Sequence, residues 1–201
     1  RCSRDWSSDV CSSDLVALRG DPPPGTEYAP HPGGYAFAAD LVAGLRRVAD
    51  FEISVAAYPE THPQAPSRLA DLDNLKRKLD AGATRAITQY FFDTDTYLRF
   101  LDLCLAAGVS APIVPGIMPI TDFTRIRRIT AMCGSVIPAE LANRLEAVKE
   151  DSAAQFEIGV EYAIRQCQQL QAAGVPGIHF YALNKSDACE RILQALNLPV
   201  A

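Results

Sequence analysis

A chain of 201 residues, 48% of them hydrophobic, is long enough to bury a real core in one domain. Its formal net charge of −5 argues against non-specific nucleic-acid binding. No run approaches the ~18 apolar residues that cross a bilayer, and RCSRDWSSDV at the start lacks an apolar h-region, so a soluble, cytoplasmic protein is expected.

Residues 1–14, RCSRDWSSDVCSSD, are rich in Ser, Asp and Cys, lack periodicity and nearly repeat themselves. They read as a leader outside the domain, either a disordered tail or adapter sequence joined to a truncated gene. From residue 15 to 201 the text is regular and reads as one unit. Residues 16–19 form a short strand, stopped by Gly20-Asp21-Pro22-Pro23-Pro24-Gly25. A Gly- and Pro-rich insert leads to a helix over 38–48.

The next stretch organises the rest. Residues 53–58 suit a strand buried on both faces. Pro59 and Pro63 then end ladder pairing. A helix over 67–81 follows, with Leu69, Leu72, Leu75 and Leu79 as its apolar stripe and Gly82 as its stop. Asp71, Asn74 and Lys78 share a second face, with Arg77 beside them.

A third strand, 86–92, precedes a helix with Tyr97, Phe100, Leu101, Cys104 and Leu105 on one face. A fourth strand over 112–117 ends at Met118-Pro119, Thr121 is placed to N-cap the next helix, and Pro138 sits at a helix N1 position. A long helix over 151–173, a fifth strand over 177–183 and a last helix to 196 complete the chain. Strand, loop and helix thus alternate five times, which means a parallel sheet with helices outside. No GxGxxG or P-loop occurs, which argues against a Rossmann or Walker site. A (β/α)8 barrel fits better, here an incomplete one of about five βα units from its C-terminal part, since a whole barrel takes ~250 residues.

Polar residues stand at each strand end: Arg19-Gly20-Asp21, Tyr58 with His62, Gln89, the 115–119 segment, and Asn184-Lys185. In a barrel these ends gather at one mouth. Each also has a plainer reading. Asp21 fits a turn, His62 a loop cap, the Asp71 to Lys78 face a solvated helix, and His179 a satisfied core histidine. Gln89 is harder to dismiss, because a glutamine in an apolar strand is costly without partners. Lys185 at a strand end also fits a Schiff-base lyase or aldolase. Cys2, Cys11, Cys104, Cys133, Cys167 and Cys189 form no CxxC pair and no zinc-ligand spacing, so reduced structural thiols and no metal site are expected.

Several of these stretches resemble the methylenetetrahydrofolate reductase family. They are LRGDPP (18–23), VAAYPETHP (55–63), NLKRK (74–78), AITQ (86–89), PGIMP (115–119) and HFYALN (179–184). The resemblance runs from residue 15 to the C-terminus in the family's order and spacing. It implies a (β/α)8 barrel holding FAD at its C-terminal mouth, with NADH or NADPH reducing the flavin and the flavin reducing 5,10-methylenetetrahydrofolate to 5-methyltetrahydrofolate, a step of one-carbon metabolism toward methionine. Arg19, Gly20, Asp21, Phe37, Ala38, Tyr58, His62, Ala65, Asp71, Asn74, Arg77 and Lys78 would hold FAD, with Asp21 and Gln89 catalytic and also touching substrate.

The family's glutamine in the helix after the fourth strand is Arg125 here, its arginine after the last strand is Lys185, and an aromatic over the substrate is Ile129. Arg125 and Lys185 would contact substrate. The family's general-acid glutamate lies on a first barrel strand that this text does not contain, so impaired turnover, or an inactive assembly fragment, is expected. A homo-oligomer is implied for the full-length protein, with small molecules as its other partners.

Overall fold

The computed structural model describes residues 14–22 and 25–198. The leader to residue 13 with Cys2 and Cys11, and Pro23 and Pro24, lie outside the described residues. Twelve elements follow in order: β1 (Asp14–Ala17), α1 (Ala38–Arg46), β2 (Glu52–Ala57), α2 (Arg68–Asp80), β3 (Arg85–Tyr90), α3 (Thr94–Ala106), β4 (Ile113–Ile117), α4 (Phe123–Cys133), α5 (Ala139–Glu146), α6 (Ser152–Ala172), β5 (His179–Phe180) and α7 (Asp187–Ala195).

The five strands pair in parallel in chain order, β1-β2-β3-β4-β5. Sequential parallel neighbours joined through helices make a barrel wall, here a half-barrel, and not a doubly wound sheet whose order reverses. The larger core lies between sheet and helices and includes Val42, Ile53, Val55, Leu75, Tyr97, Ile117, Val160 and Ile192. A smaller one, with Tyr90, Met118, Ile120, Phe123 and Leu145, joins the strand ends to α4 and α5. No helix among the described residues is long and apolar enough to cross a membrane.

Several boundaries differ from the sequence expectation, each for a local reason. Leu69 and Leu105 are 70% and 68% exposed: each sits in a terminal turn of its helix and belongs to neither core. Asp122, not Thr121, caps α4: its carboxylate accepts from the Arg125 N–H at 2.9 Å. Pro138 is the N-cap of α5 and not its N1 residue, since its ψ of 140° is extended while its carbonyl accepts from the Ala142 N–H. β5 is two residues long, because Leu183 and Asn184 turn into positive φ and only β4 flanks it among the described strands.

The four described cysteines are free. Burial pushes the Cys104 thiol up to about 11 and the Cys167 thiol up to about 12, so both stay protonated packing groups.

Candidate active site

The C-terminal ends of β1, β2 and β3 open onto one cavity of about 560 Å³, within the ~300–1,000 Å³ of small-molecule sites. Its wall contains Arg19, Gly20, Asp21, Phe37, Ala38, Tyr58, His62, Ala65, Asp71, Asn74, Arg77, Lys78 and Gln89. Residues spread over seventy positions of sequence meet here because parallel strands end at the same rim.

The β2–α2 loop is fixed by its own backbone groups. Asp71 on α2 reaches back, its Oδ2 accepting from the His62 N–H at 2.7 Å. His62 Nδ1 accepts from the Gln64 N–H at 3.0 Å, which requires that nitrogen to be unprotonated. Burial lowers the His62 pKa, with Asp71 opposing, so the ring is neutral at pH 7. The ring meets Tyr58 edge to face at 4.6 Å between centroids. Tyr58 is itself pushed up to about 12, first by burial and then by the Asp21 and Asp71 carboxylates, so it keeps its proton. Behind this loop Glu60 Oε1 accepts from the Val136 N–H at 3.0 Å, clamping it to the segment after α4.

One turn along α2, Arg77 donates to Asn74 Oδ1. Lys78 runs back toward the sheet and its Nζ donates to the Ala56 carbonyl. Burial brings the Lys78 pKa down to about 8, only partly offset by Asp71. The face that reads as solvated helix therefore supplies a pair of cations and a carboxylate to a cavity wall.

Gln89 enters by a break in the ladder. The β3–β4 register shifts between Ile87 and Tyr90. Thr88 Oγ1 takes the Gly116 N–H at 2.8 Å, and its carbonyl takes the Tyr181 hydroxyl at 2.9 Å. A Cβ on Gly116 would lie 2.3 Å from the Thr88 oxygen and 2.7 Å from the Tyr181 ring, so only glycine admits this crossing. Such an irregularity re-aims a side chain. Gln89 Oε1 accepts from the Tyr90 N–H at 3.1 Å, and no acceptor among the described residues takes its amide N–H groups. That leaves a donor for a ligand.

Arg125 and Lys185 do not join this wall. Both are exposed and line a second cavity of about 150 Å³ between the ends of β4 and β5 and the start of α6. Tyr181 lines both cavities. Sequence reading passed over Tyr181, Gln64 and Asp40, which also face the main cavity. With the fifth strand expected to run to residue 183, Tyr181 was an interior strand position and not a strand end.

Residues 8–197 match the family model described as methylenetetrahydrofolate reductase. The chain is 45% identical over 193 residues to the 5,10-methylenetetrahydrofolate reductase of Escherichia coli K12, covering 96% of this chain and 63% of that protein. It is 40% identical over 197 residues to Methylenetetrahydrofolate reductase (NADH) 1 of Arabidopsis thaliana, covering 92% of this chain and 33% of that one. A solved structure, described as an uncharacterized protein from Clostridium thermocellum that binds two copies of 5-methyl-5,6,7,8-tetrahydrofolic acid, shares the fold with a TM-score of 0.54 at 18% identity, over 79% of this chain and 57% of that one. The chain thus spans less than two thirds of the bacterial relative's length.

Proposed function

The chain belongs to the methylenetetrahydrofolate reductase family, and on that premise we propose that its main cavity holds FAD for NAD(P)H-dependent reduction of 5,10-methylenetetrahydrofolate. The observation that carries this reading is the meeting of a cation pair, Arg77 and Lys78, with Tyr58, His62, Asp21 and Gln89 around one cavity.

The lining fits the group. Two cations suit a diphosphate dianion, and the Asp71 and Asn74 side chains offer polar partners to a sugar. Tyr58 and His62 add an aromatic edge, and Gln89 has N–H groups to give. Flavin, when bound, supplies the two-electron chemistry between nicotinamide and folate. The chain's own part is to bind and orient. Arg77 and Lys78 neutralise the phosphates, Gln89 donates to a ring acceptor of the substrate, and the Asp21 carboxylate holds negative charge at the rim, 4.0 Å from Arg19.

A Schiff-base reading needs a desolvated amine. Lys185 is exposed, so it lacks that condition. Borohydride with a carbonyl substrate should leave no adduct on it.

FAD titrated into this chain, followed by loss of flavin fluorescence, tests the proposal. Lys78 makes the expected result pH-dependent. Its pKa of about 8 in the folded chain lies below its ordinary value, so the protonated form that a dianion needs is depleted as pH rises through 8. Affinity should therefore fall between pH 7 and 9. At pH 8 binding should take up about half a proton per FAD, read by calorimetry in buffers of different ionisation enthalpy. An affinity flat across that range would detach Lys78 from the phosphates, and no binding at pH 7 would end the cofactor reading.

A further inference from the structure

The β1–α1 connection passes the main cavity, and its described residues 25–35 are exposed with one exception, Tyr28. An aromatic half-buried within a polar insert needs a reason. The Tyr28 ring lies under the Arg19 guanidinium, 4.3 Å from the ring centroid. Its hydroxyl donates to the Ala36 carbonyl at 2.8 Å, immediately before Phe37 and Ala38. Tyr28 does not itself face the cavity, whereas Arg19, Phe37 and Ala38 do.

Arg19 is held from its other side too. It donates to Gln64 Oε1 at 2.5 Å, across to the β2–α2 loop. A long cationic side chain at a rim samples many rotamers, and ordering it on binding is unfavourable. Stacking on one face and a hydrogen bond at its edge order it beforehand.

We propose that Tyr28 is a positioning residue for the cofactor site: it sets the Arg19 guanidinium by stacking, its own ring anchored by the hydroxyl's bond to the Ala36 carbonyl. The inference rests on the cofactor reading above and names how the insert before α1 serves it. Tyr28 acts through Arg19, so the two losses should not multiply.

The test is a double-mutant cycle on FAD affinity, measured by fluorescence quenching in the 201-residue chain. Tyr28→Leu, which keeps apolar bulk without a ring face, should weaken FAD about 3–5-fold. Tyr28→Phe keeps the ring and should stay within about twofold. Arg19→Met should weaken FAD about tenfold, and adding Tyr28→Leu to it should cost nothing further. Far-UV circular dichroism and melting temperature check that each variant is folded, and Tyr28→Gln, which also lacks a ring face and should show the same loss, carries the comparison if Tyr28→Leu is not. Wild-type affinity in Tyr28→Leu, or losses that multiply in the double variant, overturn the inference alone. A wild-type chain that does not bind FAD overturns the cofactor reading, and this inference falls with it.

Discussion

Gly159→Ala should lower the melting temperature by roughly 8–16 °C, the largest stability change expected from one added methyl group in this chain. A Cβ at Gly159 would stand 1.7 Å from the Ile120 carbonyl oxygen and 2.6 Å from its carbon. Backbone lies on both sides of that contact, so no rotamer relieves it; α6 or the β4–α4 connection must move. Three hydrogen bonds from α6 hold the same region: Gln155 Oε1 takes the Phe123 N–H at 2.8 Å, Tyr162 donates to the Phe92 carbonyl at 2.7 Å, and Gln166 to the Phe91 carbonyl at 2.9 Å. Overpacking costs about 1–3 kcal/mol and a buried polar group left unpaired about as much again. Their sum, on the order of 4 kcal/mol, is a large share of a typical domain's stability. Gly177→Ala, whose Cβ would meet nothing within 4 Å, is the control and should melt like the parent. A Gly159→Ala chain that melts within about 2 °C of the parent would contradict the close approach of α6.

Removing the two cations that α2 gives the cavity wall, Arg77 and Lys78, should have the largest effect on binding. Charge-assisted hydrogen bonds are worth about 1.5–3 kcal/mol each, so Arg77→Ala and Lys78→Ala should each weaken FAD ~10-fold or more, and the pair ~100–1,000-fold. Arg77 is exposed and bonded only to Asn74 among the described residues, so its loss tests charge with little effect on packing. Lys78 also satisfies the Ala56 carbonyl, and Lys78→Ala should cost some stability as well. Arg144→Ala removes an equal charge from a surface pair with Glu161, and it should leave FAD affinity unchanged. Equal weakening in Arg144→Ala would mean that net charge, and not the site, governs binding.

Much of this was legible in the sequence because its signals are local. Repeated strand, turn and helix gave the parallel sheet, and helical spacing put Asp71, Asn74 and Lys78 on one face. The resemblance supplied the residues that the rim brings together. What escaped depends on contacts between distant segments. The exposure of Leu69 goes with its place in the first turn of α2, which the spacing of leucines does not reveal. The choice of Asp122 over Thr121 turns on one residue's φ and ψ. The burial of Lys78, the crossing at Gly116 and the stacking of Tyr28 on Arg19 join residues 22, 28 and 9 positions apart. Single-sequence periodicity carries no record of such pairs.

Amide hydrogen exchange of this chain with and without FAD tests the central claim most directly. The cavity at the ends of β1 to β3 predicts that FAD slows exchange in residues 18–21, 36–40, 58–65 and 71–78. Protection confined to 119–126 and 182–189, around the smaller cavity, or no protection at any segment, would contradict it.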